Sequence, residues 1–362
     1  MSKSDSKSTS RSAVSDRGER RAAKADLKYV NEFDTGITRR RRGKGFSYAY
    51  DSGRPVKGKS ALRRIEALAI PPAWEKVWIC RDSTGHVQAR GRDEAGRRQY
   101  VYHQRWSAVS SATKFDRMHE FGRLLPKVRR RVRKDLNRES IDKQRVLAAV
   151  VRLIDKAHLR VGNEESVERT GARGATTLAP EHVEHEGPRL SLDFPGKSGK
   201  QREVELSDRK VAQVVDGCTD LDGQYLFSYQ GRGDQTCRVD STAVNEYLQE
   251  ISQETITAKD FRTWWGSVIA CEALAADYDA ETQQQRTRSV GRAIAAAAEA
   301  LGNTKAVCKS SYVHPGLQAA GRSGELPKLM DRAMRKGRGA KPKDELTQAE
   351  VLFSRLLPLL DM

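Results

Sequence analysis

The chain has 362 residues, with 66 Lys and Arg against 48 Asp and Glu and a formal net charge of +18. That length suggests about two domains. No run approaches the ~18 apolar residues of a membrane span. The Ser- and Arg-rich start has no apolar h-region, so no secretory signal is expected. The five cysteines, Cys80, Cys218, Cys237, Cys271 and Cys308, form no C-x-x-C pair, so neither a disulfide framework nor a thiolate zinc site is expected, and a reducing cytoplasm fits them. Residues 1–140 hold 35 basic and 16 acidic side chains, whereas residues 141–362 hold 31 and 32. All the excess positive charge is therefore in the first part of the chain, which points to a polyanionic partner, nucleic acid first.

Residues 1–27 mix Ser with Lys, Arg and Asp and carry little that is apolar, so a disordered basic tail is predicted there. Residues 28–106 read as a small, mostly β domain. Phe46-Ser47-Tyr48-Ala49-Tyr50 alternates with period two up to the Asp51-Ser52-Gly53 turn. A short helix over 59–68 puts Leu62, Ile65 and Leu68 on one side, with Pro71-Pro72 as its stop. Strands follow at 77–80, 87–90 and 99–102, with Gly85, Gly91 and Gly96 in the turns. Arg39 to Arg42 and the stretch 90–98 make this domain strongly basic.

From residue 107 the period becomes 3.6. Phe115, Met118, Phe121 and Leu125 form one stripe, and Leu147, Val150, Val151 and Ile154 form a second on a helix predicted to end at Arg160. A β insert follows, in which Leu190, Leu192 and Phe194 alternate, Gly196-Lys197-Ser198-Gly199 turns, and Val204 and Leu206 continue. This pattern places Lys197 on a hairpin tip. Ser207 is the predicted cap of a helix carrying Val211, Val214 and Val215. Val244, Tyr247, Leu248 and Ile251 line the next helix. Thr257-Ala258-Lys259-Asp260 reads as a capping box before Phe261, Trp264, Trp265 and Val268. Val290, Ile294, Ala297 and Leu301 end at Gly302, a natural C′ residue. Residues 336–343 read as a basic linker, and 346–357 as a last apolar helix. Residues 107–362 thus form a mostly helical domain with one small antiparallel sheet, and the fold class is α+β.

No G-x-x-x-x-G-K-[ST] phosphate loop is present, so ATP use is not expected. There is also no H-E-x-x-H and no dense acidic cluster suited to a two-metal nuclease. What stands out is a set of cationic and polar side chains in distinct settings. Arg160 lies in Leu159-Arg160-Val161-Gly162-Asn163-Glu164 and Lys197 in the hairpin turn. Arg262 lies in Ala258-Lys259-Asp260-Phe261-Arg262-Thr263-Trp264, and Tyr312 follows Gly302-Asn303-Thr304. Taken singly, each is an ordinary helix, turn or core residue. Trp264 and Trp265 read as core, and Cys308 as a small buried hydrophobe.

Together with Ile70-Pro71-Pro72-Ala73-Trp74 and Gly91-Arg92-Asp93 ahead of Gln99-Tyr100, these segments in this order resemble the type IB DNA topoisomerases in their compact poxviral and bacterial form. The resemblance runs from about Tyr29 to about Leu357. It implies an isomerase that nicks one strand of duplex DNA through a 3′-phosphotyrosyl intermediate. It further implies that such an enzyme relaxes supercoils of either sign and reseals without ATP, cofactor or required metal, and that it acts as a nucleoid-associated monomer. By the same resemblance Tyr312 matches the nucleophile, Arg160 and Arg262 the arginines on the nonbridging oxygens, and Lys197 the general acid. Asn303 stands where poxviral and nuclear enzymes have His. It can donate a hydrogen bond to a phosphate oxygen but moves no proton, so slower chemistry is expected. Asn163 and Ser166 replace a Lys and a Tyr that touch DNA in the poxviral pattern, so a poxviral site preference is not expected.

The chemistry is consistent with these roles. Planar guanidiniums clamp phosphate oxygens bidentately, an adjacent arginine pair favours a phenolate, and a positioned acid speeds departure of an alkoxide by roughly 10²–10⁴. In the N-terminal domain Gln99, Tyr100 and Tyr102 resemble a strand facing the major groove. Period two sets Tyr100 and Tyr102 on one face and Gln99 on the other. Arg90, Arg92, Arg97 and Arg98 suit phosphate neutralisation. Two other readings remain at this level. One is a tyrosine recombinase, whose His-x-x-Arg box is here Lys259-Asp260-Phe261-Arg262. The other is a non-enzymatic chromosomal DNA-binding protein.

Overall fold

The computed structural model describes residues 19, 22–23, 25–31, 34–43, 45–94, 96, 98–221, 223–231, 233, 235–277, 280–336 and 345–360. It divides into two compact units, Met1–Lys114 and Phe115–Met362. Among the described residues no helix is long and apolar enough to cross a membrane.

The first unit is built on a five-stranded antiparallel sheet in the order β2-β1-β3-β4-β5. Its strands are β1 (Gly36–Arg42), β2 (Gly45–Tyr50), β3 (Glu75–Cys80), β4 (Val87–Arg92) and β5 (Arg98–Tyr102). Ile37, Val77, Ile79 and Ala89 form the core with Ile65 of α1 (Lys59–Ala67). α1 stops at Leu68, and Ala69 takes a φ of +47°, so the helix has ended before the prolines arrive. β1 is hidden in the sequence because four successive arginines mask its alternation. The fold separates them. Arg39 points to the core side and is only 8% exposed, with its guanidinium donating to the carbonyls of Ile70, Pro71 and Trp74 and lying 4.1 Å from the Phe46 ring centroid. A buried guanidinium needs such acceptors, and the turn through Pro71-Pro72 supplies them. Ala22, Ala25 and Leu27 are buried beside Tyr29 and Trp106, so ordered packing begins within the stretch that composition assigns to the tail. Residues 1–18 of that stretch lie outside the described residues.

The second unit is mostly helical, and the chain enters it within α2 (Gln104–Leu136). Phe115, Met118, Phe121, Leu125, Val128 and Val132 of α2 pack with α3 (Lys143–Lys156) and α7 (Ala258–Ala276) around Phe261 and Trp264. Truncation of such a fully buried aromatic costs about 3–5 kcal/mol. The predicted β insert is a three-stranded antiparallel sheet, β6 (Val183–Glu186), β7 (Arg189–Pro195) and β8 (Gln201–Ser207). A second sheet, of β9 (Ser228–Gln230) and β10 (Thr236–Arg238), is too short to show a period in the sequence. The remaining helices are α4 (Glu164–Thr170), α5 (Arg209–Thr219), α6 (Ser241–Ser252), α8 (Gln283–Ala300), α9 (Lys305–Ser311), α10 (Pro315–Ser323), α11 (Leu326–Lys336) and α12 (Gln348–Leu360).

Several boundaries differ from the sequence reading, and two of them move a named residue. Asp208, not Ser207, caps α5, because its carboxylate accepts from the N–H groups of Lys210 and Val211. α3 ends at Lys156, and His158 turns the chain with a φ of +55°, so Arg160 stands in an extended segment beyond the helix. Residues 337–343 of the predicted linker lie outside the described residues.

Candidate active site

Tyr312 closes α9, its N–H donating to the Cys308 carbonyl at 3.0 Å. Its backbone is pinned to α7. Ser267 Oγ donates to the Tyr312 carbonyl at 2.9 Å and accepts from the His314 N–H at 3.0 Å. Beside Ser267, Gly266 lets the two backbones touch, since a Cβ there would lie 2.8 Å from both Tyr312 Cβ and Tyr312 O. Arg262 lies one helical turn before Gly266, so the same face of α7 that holds the tyrosine backbone also presents the guanidinium. The Arg262 guanidinium carbon is 5.4 Å from the Tyr312 ring centroid.

Arg262 is 4% exposed and bridges two segments, donating to the His158 carbonyl and, at 2.7 Å, to the Leu301 carbonyl. The first segment carries Arg160. It is laid in place by backbone bonds from Ala175 to the Arg160 carbonyl and from Thr176 to the Val161 carbonyl, both 2.8 Å. The second carries Asn303, at the end of α8. The Arg160 guanidinium donates to Asn303 Oδ1. With its oxygen so engaged, the Asn303 amide Nδ2 is buried and has no partner among the described residues, a donor awaiting an acceptor.

The electrostatics of this hollow are one-sided. Burial pushes the Tyr312 phenol up, but the charges and hydrogen bonds of Arg262 and then Arg160 outweigh it and hold the phenol below its ordinary value. Burial, with the charge of Arg160 beside it, lowers Arg262 to about 10 against the pull of Tyr312. Burial likewise lowers His158, to about 4, and the nearby Arg262 and Arg202 add to this, so its imidazole is neutral at physiological pH. Among the described residues no carboxylate pairs with Arg160, Arg202 or Arg262. Uncompensated like charges in a half-buried hollow with a free amide donor make a site for an anion with several oxygens.

Four of the five residues singled out from sequence therefore meet here: Tyr312, Arg160, Arg262 and Asn303. The fifth does not. Lys197 is exposed on the β7–β8 hairpin tip, and among the described residues its ammonium makes no hydrogen bond or ion pair. Sequence reasoning missed Arg202, which enters the same electrostatic neighbourhood from β8. A signal was available, since Arg202 shares the inward register of Val204 and Leu206, where an arginine is out of place.

In the first unit the register puts Arg90 opposite Tyr100 and Arg92 opposite Arg98. These side chains and Lys76 line a pocket of about 240 Å³ on the face away from the core. Tyr100 and Tyr102 are exposed on that face and stack at 5.8 Å. Gln99 faces the other way, its amide donating to Asp93 at 2.8 Å. The β-bulge in this pair lies on β4, between Val87 and Ala89, and leaves β5 in a single register. Arg97 lies outside the described residues. Among the described residues no group of three or more His, Cys, Asp or Glu is arranged to hold a metal ion.

Residues 103–322 match the catalytic core of eukaryotic DNA topoisomerase I, and residues 45–93 match the N-terminal domain of bacterial DNA topoisomerase IB. DNA topoisomerase 1B of Acanthamoeba polyphaga mimivirus is 30% identical over 296 residues, covering 80% of this chain and 87% of the viral protein. DNA topoisomerase 1 of Daucus carota is 33% identical over 135 residues, 36% of this chain and 16% of the plant protein. Among solved structures, a XerH site-specific recombinase bound to difH substrate aligns with a TM-score of 0.36 at 14% identity, over 56% of this chain and 51% of the recombinase, a likeness too faint to bear on fold or function. The viral relative is matched through most of its own length. The chain belongs to the type IB DNA topoisomerases.

Proposed function

We propose that this topoisomerase cleaves one DNA strand with Tyr312 as the nucleophile. The phenolate oxygen attacks a backbone phosphorus, the Tyr312 Oη–P bond forms, and the P–O5′ bond breaks. Arg160 and Arg262 clamp the nonbridging oxygens, and the free amide of Asn303 donates to the same group. Charge developing on those oxygens in the transition state meets donors already in place, the arrangement that contributes most to such reactions. The leaving 5′-oxygen takes a proton from the Lys197 ammonium. The hairpin tip that carries Lys197 delivers it to the bound strand. The 3′-phosphotyrosyl ester conserves the bond energy, so the free 5′ end rotates, returns and displaces Tyr312 without a nucleotide.

Duplex DNA is the substrate, and the outward face of the N-terminal sheet is read as a DNA-facing surface. Arg90, Arg92 and Arg98 suit phosphates there, and the stacked Tyr100 and Tyr102 suit the groove. Gln99, turned inward and bonded to Asp93, is better suited to holding the 93–99 turn. The chain is taken to act as a monomer.

One observation carries the reading: a buried phenol faces two guanidiniums that, among the described residues, no carboxylate neutralises. The test is to trap a covalent DNA adduct with detergent and to follow plasmid relaxation in chelator without ATP. The parent chain is expected to do both, and Y312F to do neither while still binding DNA. Adduct formation by Y312F would remove Tyr312 from the reaction.

A further inference from the structure

Arg202 has no role in the reaction as set out above, yet its setting is unusual. It sits at the base of the hairpin that carries Lys197, with its side chain turned to the apolar side of β8. Its guanidinium donates to the Glu299 carbonyl at 3.1 Å and the Ala300 carbonyl at 2.5 Å, the last carbonyls of α8. A cation there complements the negative end of the helix dipole. Gly302 turns the chain just beyond, with a φ of +57°, and a Cβ on it would lie 3.1 Å from the Arg202 guanidinium. Asn303 comes next, its N–H donating to the Ala298 carbonyl at 2.8 Å. Arg202 thus fastens the turn from which Asn303 reaches Arg160. Burial and the charge of Arg160 both lower its pKa, so it stands close enough to Arg160 to share one field.

We propose that Arg202 is a positioning residue for DNA cleavage: by binding the end of α8 it fixes the Gly302-Asn303 turn against Arg160. This rests on the reading of Tyr312, Arg160, Arg262 and Asn303 as the reacting cluster. Arg202 acts on the side of the nonbridging oxygens, through Asn303 and Arg160. It does not act through the acid on Lys197, even though the same hairpin bears both residues.

Single-turnover cleavage of a nicked-product DNA substrate tests this, with the parent chain and Y312F as controls. If the parent forms no adduct, the underlying reading fails, and the result does not depend on Arg202. With an active parent, R202M is expected to cleave about 10²-fold more slowly, the scale of an ångström-sized misplacement, while DNA affinity holds. R202K keeps the charge and one hydrogen bond and should lose less. R202M/N303A should be no slower than the slower single variant, because both changes disable one unit. A substrate with sulfur at the scissile 5′ bridging position needs no acid to release its leaving group, and it should not restore R202M. Parent-like cleavage by R202M, independent losses in the double variant, or rescue by the sulfur substrate would each overturn the proposal.

Discussion

Behind the reacting cluster lies a buried ion network whose strength can be predicted from its geometry. Arg129, 3% exposed on α2, donates to both oxygens of Asp155 at 2.7 and 2.8 Å and to both oxygens of Glu350 at 2.8 and 2.9 Å. Trp265 Nε1 also donates to Asp155, at 3.1 Å, and Trp264 Nε1 to Glu350, at 3.0 Å. One cation thus ties α3 and α12 to α2, and the two indoles join α7 to the same carboxylates. R129M would leave two buried carboxylates with no cation. Removing one partner of a buried ion pair costs about 3–5 kcal/mol. At roughly 2–4 °C per kcal/mol for a unit of this size, the unfolding midpoint should fall by roughly 10 °C at pH 7. The pH dependence has a definite sign. Burial raises the Asp155 carboxyl, but its bonds and ion pair with Arg129 outweigh that and hold it below the usual carboxylate range. Stability from this group is therefore complete above its unfolded pKa and disappears as pH falls through the folded value. In R129M the same carboxyl keeps the burial and loses the cation, so acid relieves the variant while it weakens the parent. Thermal unfolding followed by circular dichroism across pH 4–8 should show the gap between the two narrowing toward acid. A midpoint unchanged at pH 7, or a gap that widens in acid, would refute the account.

Other predictions concern the cluster itself. G266A pushes a methyl group into the Tyr312 backbone, where 2.8 Å is available, and should slow adduct formation by about 10²-fold with DNA binding retained; a parent-like rate would mean that the nucleophile tolerates displacement. The ultraviolet titration of the parent minus that of Y312F should reveal a phenol ionising below the ordinary value of ~10, and R262A should raise it. Coincident curves would show that the guanidinium does not act on the phenol. N303A should lose about 10²-fold in cleavage through removal of one phosphate donor, and N303H should recover much of it; an undiminished rate for N303A would take the amide out of the reaction. Replacing Arg90, Arg92 and Arg98 together by Gln should lower the slope of log affinity against log salt by about 3, near 0.9 per phosphate contact. An unchanged slope would place the DNA on another surface.

Much of the fold is legible in local periodicity. The stripe Phe115, Met118, Phe121 and Leu125 is buried as read, and so are Leu147, Val150, Val151 and Ile154. The Thr257 and Asp260 capping box is present, and Lys197 lies on the tip of the predicted hairpin. β1 was not legible, because its inward position at Arg39 is filled by a charged residue satisfied by distant carbonyls. The end of α3 is not legible in the sequence, because the break depends on a left-handed His158 that no glycine or proline announces.

The order of the motifs, the helical and alternating stripes, and the charge imbalance are properties of neighbours along the chain, and the sequence by itself determined them. It also singled out Tyr312, Arg160, Arg262, Asn303 and Lys197, because each stands in a recognisable local setting. Only the tertiary structure decided that the first four converge, and that Arg202 joins their field from another strand. Which charges go unpaired in a hollow depends on residues up to 152 positions apart, as Arg160 and Tyr312 are. No local pattern encodes a distance of that kind, because it is set by how α7, α8, α9 and the three-stranded sheet pack around a shared core.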